Sequence, residues 1–501
     1  MATAPLVLAI DAGSFSLRCS LFATDGTLAG SAARRLDHRT PAPDQHEQDA
    51  GQIWGALLEA LAELAVQHDL TRVGAVGLTN QRATCLLWDR ATGEPLGPAI
   101  FWSDRRTEPF MAALRESGHE LLVQVTTGVT LHSFNSAPKL RWMLDNLPGA
   151  GGLLAVGQLA GGTLDSWLLW KLTDGRAHAT DYSNAQRTML LNLTTLAWDR
   201  ELARLFSVDP EILPEVGSGA RNIGPTEIAS LPQLRAPIGA VAADQTAALL
   251  GHGVVTPGEA KCSYGSSVVP LMFCGPRPIG AREGLAVIAY DAGGKQAYGI
   301  GSTIAGGALV LEWCCTRLGA FASVKELVAQ AANAPADDSV VFVPAFAGAQ
   351  ASARDATDRA AILGLHAAAD RRAIARAALE SIAFQVADAL ALMRSVSGVA
   401  LTRLRVDGGL ARSDLLMQMQ ADLLGIAIER PAQSELASLG IAYLAAQGAR
   451  IAVAPNFLAA GCGKARVFTP QLDQAGRERR MALWHSAVGR AGGRAAERFH
   501  D

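Results

Sequence analysis

The chain has 501 residues, more than one hydrophobic core usually organises, so two domains are expected. Hydrophobic residues make up 49% and charged residues 18%, which supplies apolar material for stable cores and too little charge for a disordered chain. The formal net charge of −3, without a long basic run, argues against nucleic acid or an anionic membrane as a partner. Seven cysteines lie scattered without CxxC pairs, and adjacent Cys314-Cys315 has no metal spacing, which fits reduced thiols in a cytoplasm. Met1 to Pro5 has no basic n-region or cleavage-site pattern.

Three strands open the chain, Val7 to Ile10, Ser16 to Phe22 and Ala29 to Leu36, with turns at Ala12-Gly13 and Asp25-Gly26. Gln52 to His68 has apolar residues at helical spacing, and Val73 to Leu78 follows as a buried-type strand. Thr84 to Trp88 and Pro98 to Trp102 are expected to pair around the Ala91-Thr-Gly-Glu turn. The uncharged run Asn146 to Leu164 is long enough to consider as a membrane span. Its six glycines, Pro and Gln favour a glycine-rich loop or packing segment instead.

Gly239-Ala-Val-Ala-Ala-Asp-Gln-Thr-Ala-Ala-Leu-Leu-Gly-His-Gly253 isolates one carboxylate, Asp244, with the amide Gln245 beside it, in a small apolar stretch. A lone acid there is costly to bury without a partner or a task. The alternative is that Asp244 caps a helix over Gln245 to Leu250. Beyond Gly251 to Gly258, where the domain boundary is placed, the strand–turn–strand pattern restarts. Ala260 to Ser263, the turn Gly265-Ser266-Ser267 and Val268 to Phe273 offer amides and hydroxyls of the kind that cradle phosphate. Leu8-Ala-Ile-Asp-Ala-Gly-Ser-Phe-Ser-Leu-Arg18 offers a second such turn with its own acid and cation. Two phosphate turns and two acids suggest an enzyme that moves a phosphoryl group. Each hydroxyl could also be an ordinary turn hydroxyl. Arg18 could be a solvated strand charge and Arg82 a surface ion pair.

Further strands are expected at Ala286 to Tyr290, Ala297 to Ile300 and Val340 to Val343. Helices are expected at Ile304 to Leu318, Arg371 to Ser397 and Ser413 to Leu424. Leu401 to Val406 reads as a strand ending in Asp407-Gly408-Gly409, before a helix whose N-terminus could face phosphate. The Arg- and Ala-rich tail after Gln474 reads as an exposed helix. His132 and His252 read as structural. The domains are thus expected at 1–252 and 253–475, with the tail at 476–501.

Phe134-Asn-Ser-Ala-Pro-Lys-Leu-Arg-Trp-Met-Leu-Asp-Asn146 and Asp407-Gly-Gly-Leu-Ala-Arg-Ser-Asp-Leu-Leu-Met-Gln-Met-Gln-Ala-Asp-Leu-Leu-Gly425 resemble the two signatures of the FGGY carbohydrate kinases. Leu78-Thr-Asn-Gln-Arg82, Trp102-Ser-Asp-Arg-Arg-Thr107 and Asp181-Tyr-Ser-Asn-Ala-Gln-Arg-Thr188 resemble blocks of the glycerol-kinase branch in particular. The resemblance runs from about Leu6 to Gly448, and no Walker A run GxxxxGK[ST] occurs. It implies an α/β fold of two actin-like ATPase (ribonuclease-H-like) domains with a cleft between them. The implied activity is ATP- and Mg²⁺-dependent phosphorylation of a terminal hydroxyl of a polyol or ketose.

Residue by residue, the resemblance places Asp11, Gly13, Ser14, Ser16 and Arg18 at the first phosphate turn. Asp11 would hold Mg²⁺ through water, with Asp244 beside the same ion. Gly265 and Ser266 would hold the β- and γ-phosphates, and Gly408 and Gly409 the α-phosphate and ribose. Asp414 stands where relatives often have Asn near the adenine. Arg82, Ala83, Trp102, Phe134 and Gln245 fall on substrate-binding positions, and Asp244 on the general base. A homodimer is common among such kinases.

Three departures bear on the substrate. Glycerol kinases have Arg-Glu where this chain has Arg82-Ala83, and Tyr where it has Phe134. Two hydrogen bonds to a small triol are lost, each worth roughly 0.5–1.5 kcal/mol, and a longer polyol or ketose gains room. The segment from Ser218 through Pro237 lacks the Gly-Gly-Thr-Arg loop of fructose-bisphosphate regulation, so that regulation is not expected. Gly409 to Ser413 looks more like a pentulose kinase, which stands as the alternative enzyme. A non-catalytic sugar- or nucleotide-binding regulator, or an actin- or chaperone-like ATPase, are the alternatives from other classes.

Overall fold

The computed structural model describes residues 5–292, 295–334, 339–345 and 360–491. The chain forms two compact units. The first comprises residues up to Val255 with Cys274–Gly299 and Glu435–Gly463; the second comprises Thr256–Phe273, Ile300–Ser434 and the chain from Lys464. The chain therefore leaves the first unit within the Gly251 to Gly258 stretch but returns to it twice.

The first unit is built on a six-stranded sheet in the order Ala220–Pro225, Pro237–Ala243, Val73–Asn80, Leu6–Ala12, Ser16–Ala23, Leu28–Arg35. The middle three are parallel, with Ala12 beside Asn80 and Asn80 beside Ala243. Leu6–Ala12 is buried along nearly its whole length, as a strand covered on both faces must be. Helix Ala50–Gln67, capped by the Asp49 side chain, covers one face with Ile53, Leu57, Leu61 and Leu64. Helix Leu436–Gly448 covers the other, apolar along most of its length.

Its close approach explains the second return of the chain, Glu435–Gly463. A Cβ on Gly239 would stand 2.2 Å from the Ala445 carbonyl oxygen, and one on Gly440 would stand 1.9 Å from that of Ala247. Only glycine admits such backbone contact. The segment carrying Ala286–Ala292 returns through Gln186, whose side chain donates to the Ala286 carbonyl (2.9 Å) and accepts from the Ile288 amide (2.9 Å).

Two expectations are modified here. Cys85–Asp89 meets Ala99–Ile100 only at Cys85 and Ile100, and gives its other edge to Leu159–Thr163 over five residue pairs. The run Asn146 to Leu164 thus becomes a short helix, Ala150–Ala155, and a buried strand. Among the described residues no helix is long and apolar enough to cross a membrane.

In the second unit Glu259–Tyr264 pairs antiparallel with Val268–Gly275 and parallel with Arg403–Asp407, which continues to Ile428–Arg430 and Arg466–Phe468. Helix Arg371–Ser397 begins at the Asp370 cap and ends at left-handed Gly398. The tail helix Gln474–Ala491 is docked, a correction to its expected exposure: Trp484 is fully buried and stacks on Phe384 with ring centroids 5.1 Å apart. Burying an indole of that size in a core is favourable relative to leaving it in water. Residues 492–501 of that tail lie outside the described residues. No disulfide joins the seven cysteines.

Candidate active site

In the first unit the three parallel strands deliver their carboxyl ends together, where ligands of open α/β sheets bind. Leu6–Ala12 ends at Asp11 and the first turn, Val73–Asn80 leads to Gln81 and Arg82, and Pro237–Ala243 leads to Asp244. The block at 181–188 ties these ends down. Asn184 and Asn80 exchange amide hydrogen bonds of 3.1 Å each, and the Ala243 amide donates to Ser183 Oγ at 2.9 Å.

The first turn closes by a Gly13 amide bond to the Ser16 carbonyl (3.0 Å). The Ser14 carbonyl accepts from His38 Nε2 (2.6 Å) and Gln48 Nε2 (2.9 Å), and Trp102 Nε1 donates to Ser14 Oγ at 3.1 Å. A chain of amides continues from Gln48 to Gln81 and Thr84, whose hydroxyl accepts from the Trp102 amide. The turn and Trp102 are therefore one hydrogen-bonded piece.

Charge is concentrated beside it. Asp11 faces Arg18 across the antiparallel register, and Arg18 Nε lies 2.8 Å from Glu435 Oε2. Arg82 Nε lies 3.7 Å from Asp244 Oδ1. Burial, reinforced by Asp244 and Glu435 and opposed by Arg18, pushes the Asp11 carboxyl up to about 7. Burial draws the Arg187 guanidinium down to about 9, aided by like-charged Arg82 and opposed by Asp244. Burial lowers Arg82 as well, against the pull of Asp244.

Asp244 is the first residue of helix Asp244–Gly251, not its cap, which is Ala243. The expected capping role is thus reduced to one bond, from the adjacent Gln245 amide to Asp244 Oδ1 (2.6 Å). Gln245 follows on the same first turn.

Two participants were not singled out from sequence. Arg187 lies inside the block at 181–188, and its charge signals it there. Glu435 precedes a helix far along the chain and has no local signal.

Ala83 is buried and holds φ at +63°, rare for a residue with a side chain. Trp102 and Phe134 meet edge to face, ring centroids 5.7 Å apart. His132 packs on Phe134 and accepts from its amide (3.1 Å); burial draws its imidazole down to about 4, so it is neutral at pH 7.

In the second unit, Gly265 and Ser266 follow Glu259–Tyr264, and Gly408 and Gly409 follow Arg403–Asp407. These parallel neighbours end side by side at Ser263 and Asp407. Gly408 has φ +92°, and a Cβ there would lie 2.4 Å from the Tyr264 carbonyl oxygen. Gly265 closes its turn on the Ser267 carbonyl (3.0 Å), and its own carbonyl accepts from the Ala308 amide (2.9 Å). Ser266, Gly408 and Gly409 are exposed. Asp414 begins a helix capped by Ser413 and is engaged by Arg430 (2.9 Å) and Arg466 (2.8 Å).

Among the described residues no three His, Cys, Asp or Glu side chains converge as a metal cage. Mg²⁺ is ordinarily held by one or two carboxylates, waters and substrate phosphates rather than by such a cage. Asp11 would be such an oxygen donor, and the repulsion that Asp244 and Glu435 exert on its carboxylate is what a cation would relieve.

Residues 6–251 match the FGGY family of carbohydrate kinases, N-terminal domain, and residues 260–449 match its C-terminal domain. A glycerol kinase of Alkalilimnicola ehrlichii is 42% identical over 97% of this chain and 98% of that protein. One of Rhodopirellula baltica is 43% identical over 97% and 90%. The crystal structure of Plasmodium falciparum glycerol kinase with ADP superposes with a TM-score of 0.91 at 28% identity, covering 97% of this chain and 98% of that one. A xylulose kinase of Lactobacillus acidophilus shares the fold, with a TM-score of 0.84 at 21% identity, covering 97% and 98%. Strand-end acids, two glycine turns and these likenesses over both halves agree: the chain belongs to the FGGY family of carbohydrate kinases and is a glycerol-kinase-like, ATP-dependent enzyme.

Proposed function

We propose that this kinase transfers the γ-phosphoryl group of Mg-ATP to a terminal hydroxyl of a polyol or ketose, with Asp244 as general base. The observation that carries the reading is the convergence of Asp11, Arg82, Arg187 and Asp244 at the carboxyl ends of one set of strands. Phosphoryl transfer needs alignment, charge neutralisation and an acceptor for the hydroxyl proton. Arg82 holds the Asp244 carboxylate on one side, so its other oxygen is the one to take that proton. Arg82, Gln245, Trp102, Ala83 and Phe134 orient the acceptor. Arg18, Gly13, Ser14 and Ser16 receive the transferring phosphate, and Gly265, Ser266, Gly408, Gly409 and the Asp414 helix hold the nucleotide. Asp11 and Asp244 would hold Mg²⁺, which would supply charge neutralisation on the phosphate oxygens.

Glycerol is the first acceptor to try, since the relatives above are named glycerol kinases. Ala83 and Phe134, which take away a carboxylate and a phenol, favour a four- or five-carbon polyol or ketose. The enzyme is read as cytoplasmic, its seven cysteines being scattered without the spacing of a disulfide framework.

The test is ADP release from Mg-ATP across glycerol, erythritol, xylitol, ribitol, arabitol, erythrulose, xylulose and ribulose. Phosphorylation of none of them sinks the proposal. Asp244→Asn is expected to lose about 10²- to 10⁴-fold in kcat, and normal turnover would sink the base assignment.

A further inference from the structure

Lys139, on helix Ser136–Asn146, is fully buried, yet no described carboxylate forms a salt bridge with it. Its Nζ donates to three backbone carbonyls, Phe134 (2.9 Å), Trp102 (3.1 Å) and Ala83 (3.3 Å). An ammonium has three N–H donors and no acceptor, so the three carbonyls satisfy it completely. Those carbonyls belong to the three residues from separate segments that the proposed function places around the acceptor. The Ala83 carbonyl also accepts from Ser136 Oγ at 3.1 Å. A left-handed alanine persists only where its surroundings over-determine it, and these two donors are what fixes its carbonyl.

We propose that Lys139 is the positioning residue of the acceptor pocket: one ammonium ties the Ala83, Trp102 and Phe134 backbones together and thereby sets the aim of Arg82 and the two aromatic walls. The proposal rests on the reading that these residues bind the acceptor.

The titratable groups around Lys139 are Asp104 and Arg106, which pair with each other, the Cys85 thiol, and His132. Burial draws the Lys139 ammonium down to about 8, with Cys85 and Asp104 opposing and Arg106 assisting. Above that pH the amine keeps only two N–H donors, and one of the three carbonyls loses its partner.

The experiment measures KM for the best acceptor and for ATP separately, across pH 6 to 10, in the full-length enzyme. In the wild type the acceptor KM is expected to rise above about pH 8 while the ATP KM stays flat. Lys139→Met is expected to raise the acceptor KM at pH 7 about tenfold or more, leave the ATP KM within about twofold, and abolish the alkaline rise. A purely structural lysine would change the melting temperature and neither of those features. Trp102→Ala serves as the control on the pocket itself. If it raises the acceptor KM and Lys139→Met does not, the positioning role is overturned and the pocket stands. If both leave it unchanged, the pocket assignment fails and the proposal with it. Should Lys139→Met not fold, Ser136→Ala decides: a raised acceptor KM with an unchanged ATP KM supports the proposal, and no change in either overturns it.

Discussion

Arg18 and Glu435 form an ion pair of 2.8 Å that joins the second strand of the chain to the start of the helix covering its sheet. Asp11 sits opposite Arg18 in the strand register, so one guanidinium serves two acids. Glu435→Gln removes one of the two carboxylates that hold the Asp11 carboxyl up and frees Arg18 toward it. Both changes favour ionisation of Asp11. The Asp11 carboxyl is therefore expected to titrate below its present value of about 7 in this variant. A carboxyl-carbon NMR titration reads this directly, and an Asp11 midpoint unchanged from wild type would contradict the coupling.

The acceptor preference should respond to the two positions where this chain departs from glycerol kinases. Ala83 and Phe134 both give their carbonyls to Lys139, so side-chain changes there leave the backbone tie in place. Ala83→Glu with Phe134→Tyr restores a carboxylate and a phenol for a triol. Two hydrogen bonds of roughly 0.5–1.5 kcal/mol each correspond to a gain in glycerol kcat/KM of about 5- to 150-fold. Competition between glycerol and a five-carbon polyol measures the shift. A variant that stays active but gains nothing for glycerol would show that these side chains do not select the acceptor.

Stability should fall as pH rises through the acidic range. Asp165 is fully buried on helix Leu164–Leu172 and accepts from Thr180 Oγ1 at 2.6 Å. Burial pushes its carboxyl up to about 7; the Thr180 bond opposes and Asp181 adds to the rise. The folded state thus holds a proton that the unfolded chain releases near pH 4. The stability this group contributes is complete below pH 4 and is lost as pH rises through about 7. The change is on the order of 4 kcal/mol, and Asp11 acts with the same sign. Asp165→Asn keeps an acceptor for Thr180 and removes the ionisation, so unfolding free energy should vary less between pH 4 and 7 and be higher at pH 8. Denaturant unfolding at several pH values checks it; an unchanged pH dependence would refute it.

Much of this was legible locally. Helix Arg371–Ser397 and the first three strands follow from period and turn residues, because each segment's pattern is decided within its own length. The turns at Gly13, Gly265 and Gly408 announced themselves by glycine and hydroxyl chemistry. What stayed hidden depends on long-range partners. Glu435 matters only because helix Leu436–Gly448 returns to the first sheet. Lys139 looks like one cation in a signature block until three carbonyls from three segments surround it. Composition misled at the tail, where frequent arginines masked the few residues that dock it.

Those residues give the last prediction. Trp484 lies flat on Phe384, with planes 6° apart, and its Nε1 donates to Asp388 Oδ2 at 2.7 Å. Asp388 Oδ1 is also paired with His485 (2.8 Å), and buried Arg480 pairs with Glu380 one turn away along the same face. Three residues of the tail helix thus engage helix Arg371–Ser397, and the indole contributes the apolar share. Trp484→Ala should cost about 3–5 kcal/mol, whereas Trp484→Phe keeps the stack and should cost about 1 kcal/mol. Hydrogen exchange separates this from a global effect. Amides of helix Arg371–Ser397 should lose protection in Trp484→Ala while those of strand Leu6–Ala12, in the other unit, keep theirs. Equal loss in both would mean that the tail helix supports the whole chain rather than the second unit.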